Sequence, residues 1–445
     1  MACLIQGITA LFIKRRSSDI PKKVQALDAP PRYETVFDID PVVVPKEKAA
    51  DVTSIVEHVV DTISKDLREI SLKLHAHPEI AWKEHMAHDL LTDYMEKQGF
   101  AVTRSAFGLD TAFRAEYQRN KGGAKVAFCS EYDALPGVGH GCGHNLIAVT
   151  GVASAVAVKA VLEHLDIPGQ VVLLGTPAEE GPGGKLNMID AGAFQPMDVV
   201  LMGHPGGDYI YNKCLAVTTF RVEYFGKPSH ASAAPWEGIN ALDAIVQAYN
   251  GLSMLRQQLP TNQRVHGIIQ DGGQATNVIP EHTAGQFACR ASSKKELYEL
   301  KEKVQRVFEA AAEATGCRLE MRWQEPHLDV IQNDPLADVY VQHAEECGVR
   351  FPPRYIQESI PSSSTDFGNV SNIKPGLHVG FDIGGKSQVA PHTTAFAALA
   401  KTEEAHRDAM RASKCLALTG TNVLTDPTLL ECVKRWFDEN VPKNA

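Results

Sequence analysis

Residues 125–176 read KVAFCSEYDALPGVGHGCGHNLIAVTGVASAVAVKAVLEHLDIPGQVVLLGT, and this stretch decides the fold class. Two short apolar runs, 125–130 and 170–176, are too short for helices and are typical of buried strands. The long Ala-rich run between them, 146–165, predicts a helix. A strand, a helix and a strand at this spacing form a βαβ unit, so we expect a parallel sheet covered by helices.

Two further apolar runs extend this sheet, DVVLMG at 198–203 and LHVGF at 377–381. Between them, from residue 215 to 323, the pattern changes to β-α-β-β-α-β, which is the order of split ferredoxin-like domains. We therefore predict an α/β protein whose mixed, mostly parallel sheet is flanked by helices and whose chain carries an inserted α+β domain.

The predicted domain boundaries follow these changes of pattern. Residues 14–48 are rich in proline and charge, and we predict a flexible N-terminal arm over residues 1–51. The larger domain is formed by residues 52–213 and 328–436, and residues 214–327 form the inserted domain. The role of the arm is not evident from its composition.

Length and composition exclude several classes of protein. The chain has 445 residues, enough for two or three domains with a large buried core. Apolar residues make up 44% and charged residues 22%, which excludes a disordered or fibrous protein. The formal net charge is −10, whereas nucleic acids and anionic membranes are bound by clustered positive charge, so we expect neither as a partner.

The cysteines and the N-terminus bear on the compartment. The nine cysteines are odd in number and irregularly spaced, which favours free thiols over a disulfide framework. No uninterrupted run of about 18 apolar residues predicts a transmembrane helix. Basic residues 14–16 follow the apolar run 2–13, whereas a secretory signal has its basic residues first. These patterns predict a cytoplasmic protein.

The segment GVGHGCGHN, residues 137–145, carries the densest group of metal-binding side chains. It follows a predicted strand and opens a predicted helix, which is where open α/β sheets place their sites. Cys142 and His144 are separated by one glycine, and thiolate and imidazole are preferred zinc ligands. A glycine-rich turn with a buried cysteine is the alternative interpretation.

The segment TPAEEG, residues 176–181, places Glu179 and Glu180 side by side after the next strand. Burying two carboxylates is costly without a partner, and a metal ion is such a partner. The second carboxylate can then take a proton from an activated water. Acidic residues at a helix N-terminus are the alternative, and they explain one glutamate better than two.

Two histidines follow two other predicted strands, His204 in GHP and His392 in APHTT. One such histidine is more often structural than a ligand, but four such elements at the strand ends of one sheet rarely coincide by chance. We therefore predict a two-metal hydrolytic site with Glu179 as the general base. Its five ligands are Cys142, His144, Glu180, His204 and His392. Another histidine, His230 in GKPSHAS, lies in the inserted domain and reads as a turn histidine from the residues alone.

These motifs, in this order, resemble the M20 metallopeptidases, the family of aminoacylases, carboxypeptidases and dipeptidases, and in particular the amidohydrolase branch with a cysteine ligand. The resemblance runs from about residue 74 to about residue 401 and also includes LHAHPEIAWKE, NVIPEHTAGQFACRA and SSTDFGNVS. It implies a zinc-exopeptidase-like catalytic domain and an inserted domain that forms a homodimer.

The resemblance also implies roles for single residues. Cys142 resembles the ligand shared between the metals, and Glu179 the base that activates the bridging water. Asp133 resembles an acidic residue that orients a ligand from outside the coordination sphere. His230 resembles the histidine that reaches the partner subunit's site and polarises the scissile carbonyl. Two positions, Asn277 and Arg290, resemble substrate-binding residues.

The implied activity is hydrolysis of the amide bond of a dipeptide or an N-acyl amino acid, with a metal-bound water as the nucleophile. Two divalent ions are implied; zinc is expected, and manganese or cobalt would fit the same ligands. The sequence departs from the bacterial amidohydrolases at Asn145 and Thr365, where Asp and Glu are common. Both departures agree with animal dipeptidase-like members and put the bacterial substrate class in doubt.

Other functions stay open at this point. The fold would also suit an amide-forming enzyme, or a ligand-binding or regulatory protein that acts on a small metabolite. Glu179 beside Glu180 favours an enzyme, because a binding scaffold has no need of the second carboxylate. A nucleophilic Cys142 paired with His144 is a weaker alternative, because it leaves both glutamates unexplained. The preferred side chains of the substrate and the native metal are not evident from the sequence.

Overall fold

The computed structural model describes residues 51–359, 363–384 and 389–442. The predicted N-terminal arm therefore lies outside the described residues, except for Asp51. The chain divides into two compact units. The larger unit contains residues through Tyr211, then 332–352 and 373–441; the smaller contains 212–331 and 353–372. Residues 353–372 lie outside the limits predicted for the inserted domain.

The helices and strands follow one another in this order along the chain. The larger unit begins with α1 (Val52–Ala76), α2 (His85–Lys97), β1 (Ala101–Thr103), β2 (Phe113–Arg119), β3 (Lys125–Ser130), α3 (His144–Leu165), β4 (Gly169–Gly175), α4 (Gly184–Asp190) and β5 (Val199–Pro205). The smaller unit contains β6 (Ala216–Phe225), α5 (Ala241–Arg256), β7 (Arg264–Asp271), β8 (His282–Ala291), α6 (Lys294–Thr315) and β9 (Arg318–Trp323). The remaining elements are α7 (Asp334–Glu346), α8 (Arg354–Ser359), α9 (Phe367–Ser371), β10 (Gly376–Phe381), α10 (Thr394–Leu399), α11 (Glu403–Thr425) and α12 (Pro427–Asn440).

The larger unit is built on a six-stranded sheet with the order β1-β2-β4-β3-β5-β10. The pairs β4–β3, β3–β5 and β5–β10 are parallel, and the pairs β1–β2 and β2–β4 are antiparallel. The prediction of a mixed, mostly parallel sheet is confirmed. Strands β1 and β2 were not predicted, because β2 reads FRAEYQR and alternates apolar with charged residues instead of forming an apolar run.

Helix α3 forms the centre of the core of the larger unit. Nearly every residue of this helix is buried, and α1 and α11 pack against it. By length and composition alone α3 could cross a membrane, but 94% of its most apolar window is buried inside the fold. Its apolar character on all sides therefore follows from its central position between the sheet and its helical neighbours.

The smaller unit has a four-stranded antiparallel sheet with the order β7-β8-β6-β9. The predicted β-α-β-β-α-β succession is confirmed from β6 to β9. Its core contains a cluster of rings, in which Phe308 lies 5.3 Å from Phe220 and 5.0 Å from Phe287, measured between ring centroids. Helices α5 and α6 pack against this sheet, and the unit thus has a hydrophobic core of its own.

Candidate metal centre

The predicted site lies where the parallel strands of the larger unit end. Strand β3 is flanked by β4 on one side and by β5 on the other, so the chain connections from the central strand run in opposite directions. In open α/β sheets such a reversal leaves a crevice at the carboxyl ends of the strands. Glu131 follows β3 directly, Glu179 and Glu180 follow β4, and His204 lies at the end of β5.

A tight turn places Cys142 and His144 at this edge. Gly143 between them has φ = 78°, a left-handed conformation that favours glycine, and His144 begins α3. A Cβ atom on Gly143 would lie 2.6 Å from Cγ of Pro205, so a larger residue would also collide with the segment that carries His204. The turn brings Sγ of Cys142 to 3.5 Å from Nε2 of His204.

The ring of His144 is oriented by a buried carboxylate. Its Nδ1–H donates to Oδ1 of Asp133 at 3.1 Å, and both side chains are fully buried. Nε2 has no hydrogen-bond partner among the described residues, although it lies 3.8 Å from Oε2 of Glu179 and 3.9 Å from Oε1 of Glu180. A buried nitrogen that faces carboxylates without a hydrogen bond is typical of a metal ligand whose other nitrogen is held from behind.

Backbone contacts hold the two glutamates. Ala178 adopts φ = 61°, which is strained for a residue with a side chain, and its N–H donates to Oε1 of Glu84 at 2.9 Å. The N–H of Glu180 donates to Oδ2 of Asp133 at 2.9 Å. Asp133 thus orients His144 and the backbone of Glu180 at the same time, while Glu84 holds the turn before them.

His392 reaches the same cluster from the far end of the chain. The backbone N–H of His392 donates to the carbonyl oxygen of Gly141 at 2.8 Å, which fixes His392 beside the turn that carries Cys142. Its Nε2 lies 3.2 Å from Oε1 of Glu180. The structure therefore brings all five predicted ligands together in two groups whose ligand atoms lie within 4.8 Å of one another. One group is Cys142, His144 and His204; the other is Cys142, Glu180 and His392.

The electrostatics of the cluster favour a cation. Burial and the negative charge of Glu180 raise the pKa of the Cys142 thiol well above its usual range. Burial also lowers the pKa of His204 to about 4, and its Nδ1–H donates to the carbonyl of Pro205, so its Nε2 is a neutral acceptor. Burial opposes the charge of Asp133, but His144 holds its pKa below the usual range. Imidazole, thiolate and carboxylate ligands around a buried anionic pocket fit divalent ions such as zinc.

The sequence analysis did not single out three buried groups near the cluster. Glu131 is fully buried, and its Oε2 lies 3.6 Å from Nε2 of His144. Lys185 on α4 is also fully buried and donates to Oε1 of Glu131. The third group is Glu84, whose pKa is raised to about 7 by burial and by the charge of Asp133. A signal for Glu131 was present, because SEYD places two acidic residues directly after a buried strand.

The smaller unit carries the other predicted site residues. His230 is exposed, and its Nδ1 accepts hydrogen bonds from the N–H groups of Ser232 and Ala233 at 3.3 and 3.2 Å. Asn277 is also exposed, in the segment between β7 and β8. Arg290 on β8 is partly buried, and its Nη1 donates to Oγ of Ser364 at 3.1 Å.

The two departures from the bacterial pattern have structural contacts. The amide nitrogen of Asn145 donates to Oγ of Ser71 and to the carbonyl of Ala400, both at 2.9 Å. An aspartate could not donate these bonds, so Asn145 ties the start of α3 to α1 and to the end of α10. Thr365 is buried, and its hydroxyl accepts the N–H of Phe367 at 3.2 Å.

Comparison with known proteins identifies the smaller unit first. Residues 216–316 match the M20 peptidase dimerisation domain. The Xaa-Arg dipeptidase of Mus musculus is 43% identical over 390 residues, which cover 85% of this chain and 90% of that protein. The Xaa-Arg dipeptidase of Homo sapiens is 41% identical over 394 residues, with the same coverage of both chains.

Solved structures share the fold at lower identity. A putative aminohydrolase from methicillin resistant Staphylococcus aureus superposes with a TM-score of 0.70 and 17% identity, covering 84% of this chain and all of that one. A dinuclear metal-binding M20 peptidase from Bacillus subtilis superposes with a TM-score of 0.63 and 21% identity, covering 82% of this chain and 99% of that one.

Proposed function

Because this chain belongs to the M20 family of metallopeptidases, we propose that it hydrolyses Xaa-Arg dipeptides. It is a metal-dependent hydrolase of amide bonds. The substrate follows from the Xaa-Arg dipeptidases, which share 41–43% of their residues with it over most of both chains. The observation that supports catalysis is Glu179, a carboxylate beside the ligand cluster that belongs to neither ligand group of the five predicted ligands.

We assign the metals to the two ligand groups, with Cys142 common to both. His144 and His204 complete one group, and Glu180 and His392 the other. When bound, two divalent cations would activate a water for attack and polarise the scissile carbonyl. Zinc is the expected metal, because this set combines a thiolate with imidazoles and a carboxylate.

Glu179 moves the proton in this proposal. Its carboxylate takes a proton from the attacking water, whose oxygen forms a bond to the carbonyl carbon. The C–N bond then breaks, and Glu179 delivers the same proton to the departing amine. The side chain of Glu179 is 8% exposed, so the transfer takes place where bulk water competes little for the proton.

The smaller unit supplies the substrate contacts that remain. We infer that the chain forms a homodimer through this unit, and that His230 donates to the carbonyl oxygen as it gains negative charge. The guanidinium of Arg290 is suited to the C-terminal carboxylate of a dipeptide, and the exposed Asn277 amide to its backbone. The eight cysteines in the described part of the chain form no disulfide bonds, which is in keeping with the prediction of a reducing, cytoplasmic location.

Metal content and a substrate panel test the proposal together. We expect the purified protein to bind about two equivalents of zinc or manganese, and His144→Ala to lose most of it. The holoprotein is then assayed with Xaa-Arg dipeptides, N-acyl amino acids and p-aminobenzoyl-glutamate. Faster hydrolysis of Xaa-Arg dipeptides supports the proposal. A preference for one of the other classes would overturn the substrate, and a folded protein that binds no added metal would overturn the mechanism.

A further inference from the structure

His144 faces two alternative sets of ligands through the same nitrogen. The ligand atoms of Cys142, His144 and His204 lie within 4.8 Å of one another, and so do those of Glu131, His144 and Glu179. Because Nδ1 of His144 is hydrogen-bonded to Asp133, Nε2 is the nitrogen that His144 can offer to a metal in either set. One ring nitrogen can bind one metal ion. The fold must therefore contain a feature that selects the first set and leaves the second set without a metal.

The choice matters for the chemistry of Glu179. If a metal on His144 were drawn to Glu131 and Glu179, Glu179 would become a ligand and could no longer take a proton from water. The distances do not prevent this, because Oε2 of Glu131 lies 3.6 Å and Oε2 of Glu179 lies 3.8 Å from Nε2 of His144. The selection must come from the charge around Glu131.

Lys185 supplies that charge. Its side chain and that of Glu131 are both 0% exposed, and Nζ donates to Oε1 of Glu131. A buried ammonium and a buried carboxylate in contact hold each other firmly, because separating them would leave two buried charges without compensation. Oε1 of Glu131 is thereby directed toward α4, and the carboxylate is neutralised before any metal binds.

The balance of charges in the whole centre also indicates a role for Lys185. When all are ionised, Cys142 and four carboxylates carry five negative charges; the carboxylates are those of Glu131, Asp133, Glu179 and Glu180. Two divalent cations supply four positive charges, and Lys185 supplies the fifth. Buried charge is costly unless it is paired, so two metals and one lysine make a balanced set.

We propose that Lys185 is a positioning residue, a fixed internal cation that keeps Glu131 out of the coordination sphere. The metal on His144 then binds Cys142 and His204, and Glu179 is not a metal ligand and acts as the base. The inference rests on the proposed function. It concerns where a metal binds and not whether one binds, so the two can be tested separately.

Absorption spectra of the Co²⁺-loaded protein report this choice, because a thiolate bound to Co²⁺ gives charge-transfer bands in the near ultraviolet and a carboxylate does not. Wild type should bind two Co²⁺ and show the thiolate band. In Lys185→Met we expect the band to lose the contribution of the His144 metal while bound Co²⁺ persists. In Lys185→Met/Glu131→Gln the released carboxylate is absent, and the band should return.

The outcomes separate the inference from the proposed function. Wild type without Co²⁺ binding would overturn the proposed function. A wild-type band in folded Lys185→Met would overturn the inference alone, and so would a double variant that is folded but fails to recover the band. Lys414→Met is the matched control, since Lys414 pairs with Asp61 at the surface and should leave the band unchanged.

Glu131→Gln keeps the test decisive if Lys185→Met does not fold. Because Glu131 is not a ligand in this proposal, Glu131→Gln should retain two Co²⁺ and the full thiolate band. Loss of one Co²⁺, or a weaker band, in folded Glu131→Gln would show that Glu131 is itself a ligand and would overturn the inference.

Discussion

The metal centre of the larger unit and the His230 loop of the smaller unit are built in opposite ways. At the metal centre Glu131, Asp133 and His144 are at most 1% exposed, and Nε2 of His144 has no hydrogen-bond partner among the described residues. In the smaller unit His230 is exposed, and its Nδ1 already accepts backbone hydrogen bonds. One site needs a cation to satisfy its polar groups, and the other is satisfied by its own loop and by water.

This difference determines how each site is linked to stability. A buried group that lacks its partner costs free energy in the folded state, so metal binding at the first site also stabilises the fold. An exposed side chain can be removed at little cost. We therefore expect changes at the metal centre to affect both activity and stability, and changes in the His230 loop to affect activity alone.

Glu179→Gln should give the largest effect on activity. Unlike other changes at the buried metal centre, it should leave metal binding intact. The amide cannot take a proton from water, so kcat on the Xaa-Arg substrate should fall by roughly 10²–10⁴-fold. Metal content should stay at the wild-type value, because Glu179 is not among the proposed ligands. Steady-state kinetics and elemental analysis measure the two quantities. Glu163→Gln, on the surface of α3, is the control, and a loss of less than about tenfold in Glu179→Gln would rule out its role as the base.

His230→Ala tests the exposed loop of the smaller unit, where we expect a loss of activity without a loss of stability. Removing one donor to the developing oxyanion should lower kcat by roughly 10²–10³-fold. The melting temperature should stay within error of wild type, since the imidazole is exposed. Kinetics and thermal unfolding are measured side by side, with His164→Ala in the last turn of α3 as a control that should change neither. Full activity in His230→Ala would contradict the assignment.

Removing the metals with a chelator should destabilise the larger unit locally and leave the smaller unit unaffected. When the free metal concentration is 100 times the Kd, each bound ion stabilises the folded state by about 2.7 kcal/mol, and chelation removes this stabilisation. Hydrogen exchange should accelerate in the turns 131–145 and 176–181, while α5 and α6 keep their protection because they contribute no metal ligand. Equal acceleration in both units would mean that the metals do not act locally.

Glu84→Gln should give the smallest effect, which grows as the pH rises from about 4 to about 7. Burial and the charge of Asp133 raise the pKa of Glu84 to about 7, so the folded state prefers the protonated form. The stability from this preference is full below the unfolded pKa near 4.3 and is lost as pH rises through 7. Glutamine stays neutral at every pH and can still accept the N–H of Ala178.

The measurement for Glu84 is the melting temperature of the metal-free protein at two pH values. Wild type and Glu84→Gln should agree near pH 4, and the variant should be more stable near pH 8 by up to about 3.5 kcal/mol. A variant that is less stable than wild type at pH 8 would show that the carboxylate is needed as an anion. Lys185→Met is unsuitable as a control here, because it changes the charge at the same centre.

Much of the centre could be predicted because its proposed ligands lie at the ends of apolar strands or in the loops that follow these strands. His204 lies at the end of β5, Glu180 in the loop after β4 and Cys142 in the longer loop after β3, and each of these strands reads as an apolar run. Parallel strands end at one edge of a sheet, so the order of strands and polar residues in the sequence already indicates a common site. The inserted unit was predicted for a similar reason, since its alternating pattern differs from the continuous apolar runs around it.

Other features could not be read from a linear pattern. Strands β1 and β2 lie at the antiparallel edge, where half of the side chains face solvent and no apolar run forms. Glu84 and Ala178 are 94 residues apart, and Lys185 and Glu131 are 54 apart, so only folding brings them into contact. A lysine in GGKLNM gives no sign by itself that it will be fully buried.

The sequence alone therefore determined the parallel sheet, the β-α-β-β-α-β order of the inserted unit and the chemical character of the proposed ligands, because hydrophobic periodicity and side-chain chemistry are local properties. The tertiary structure decided which nitrogen of His144 faces the cluster, which carboxylates support it from behind, and which cation neutralises Glu131. Those are matters of distance and burial, and a buried charge acquires its energetic weight only after water has been excluded from its surroundings.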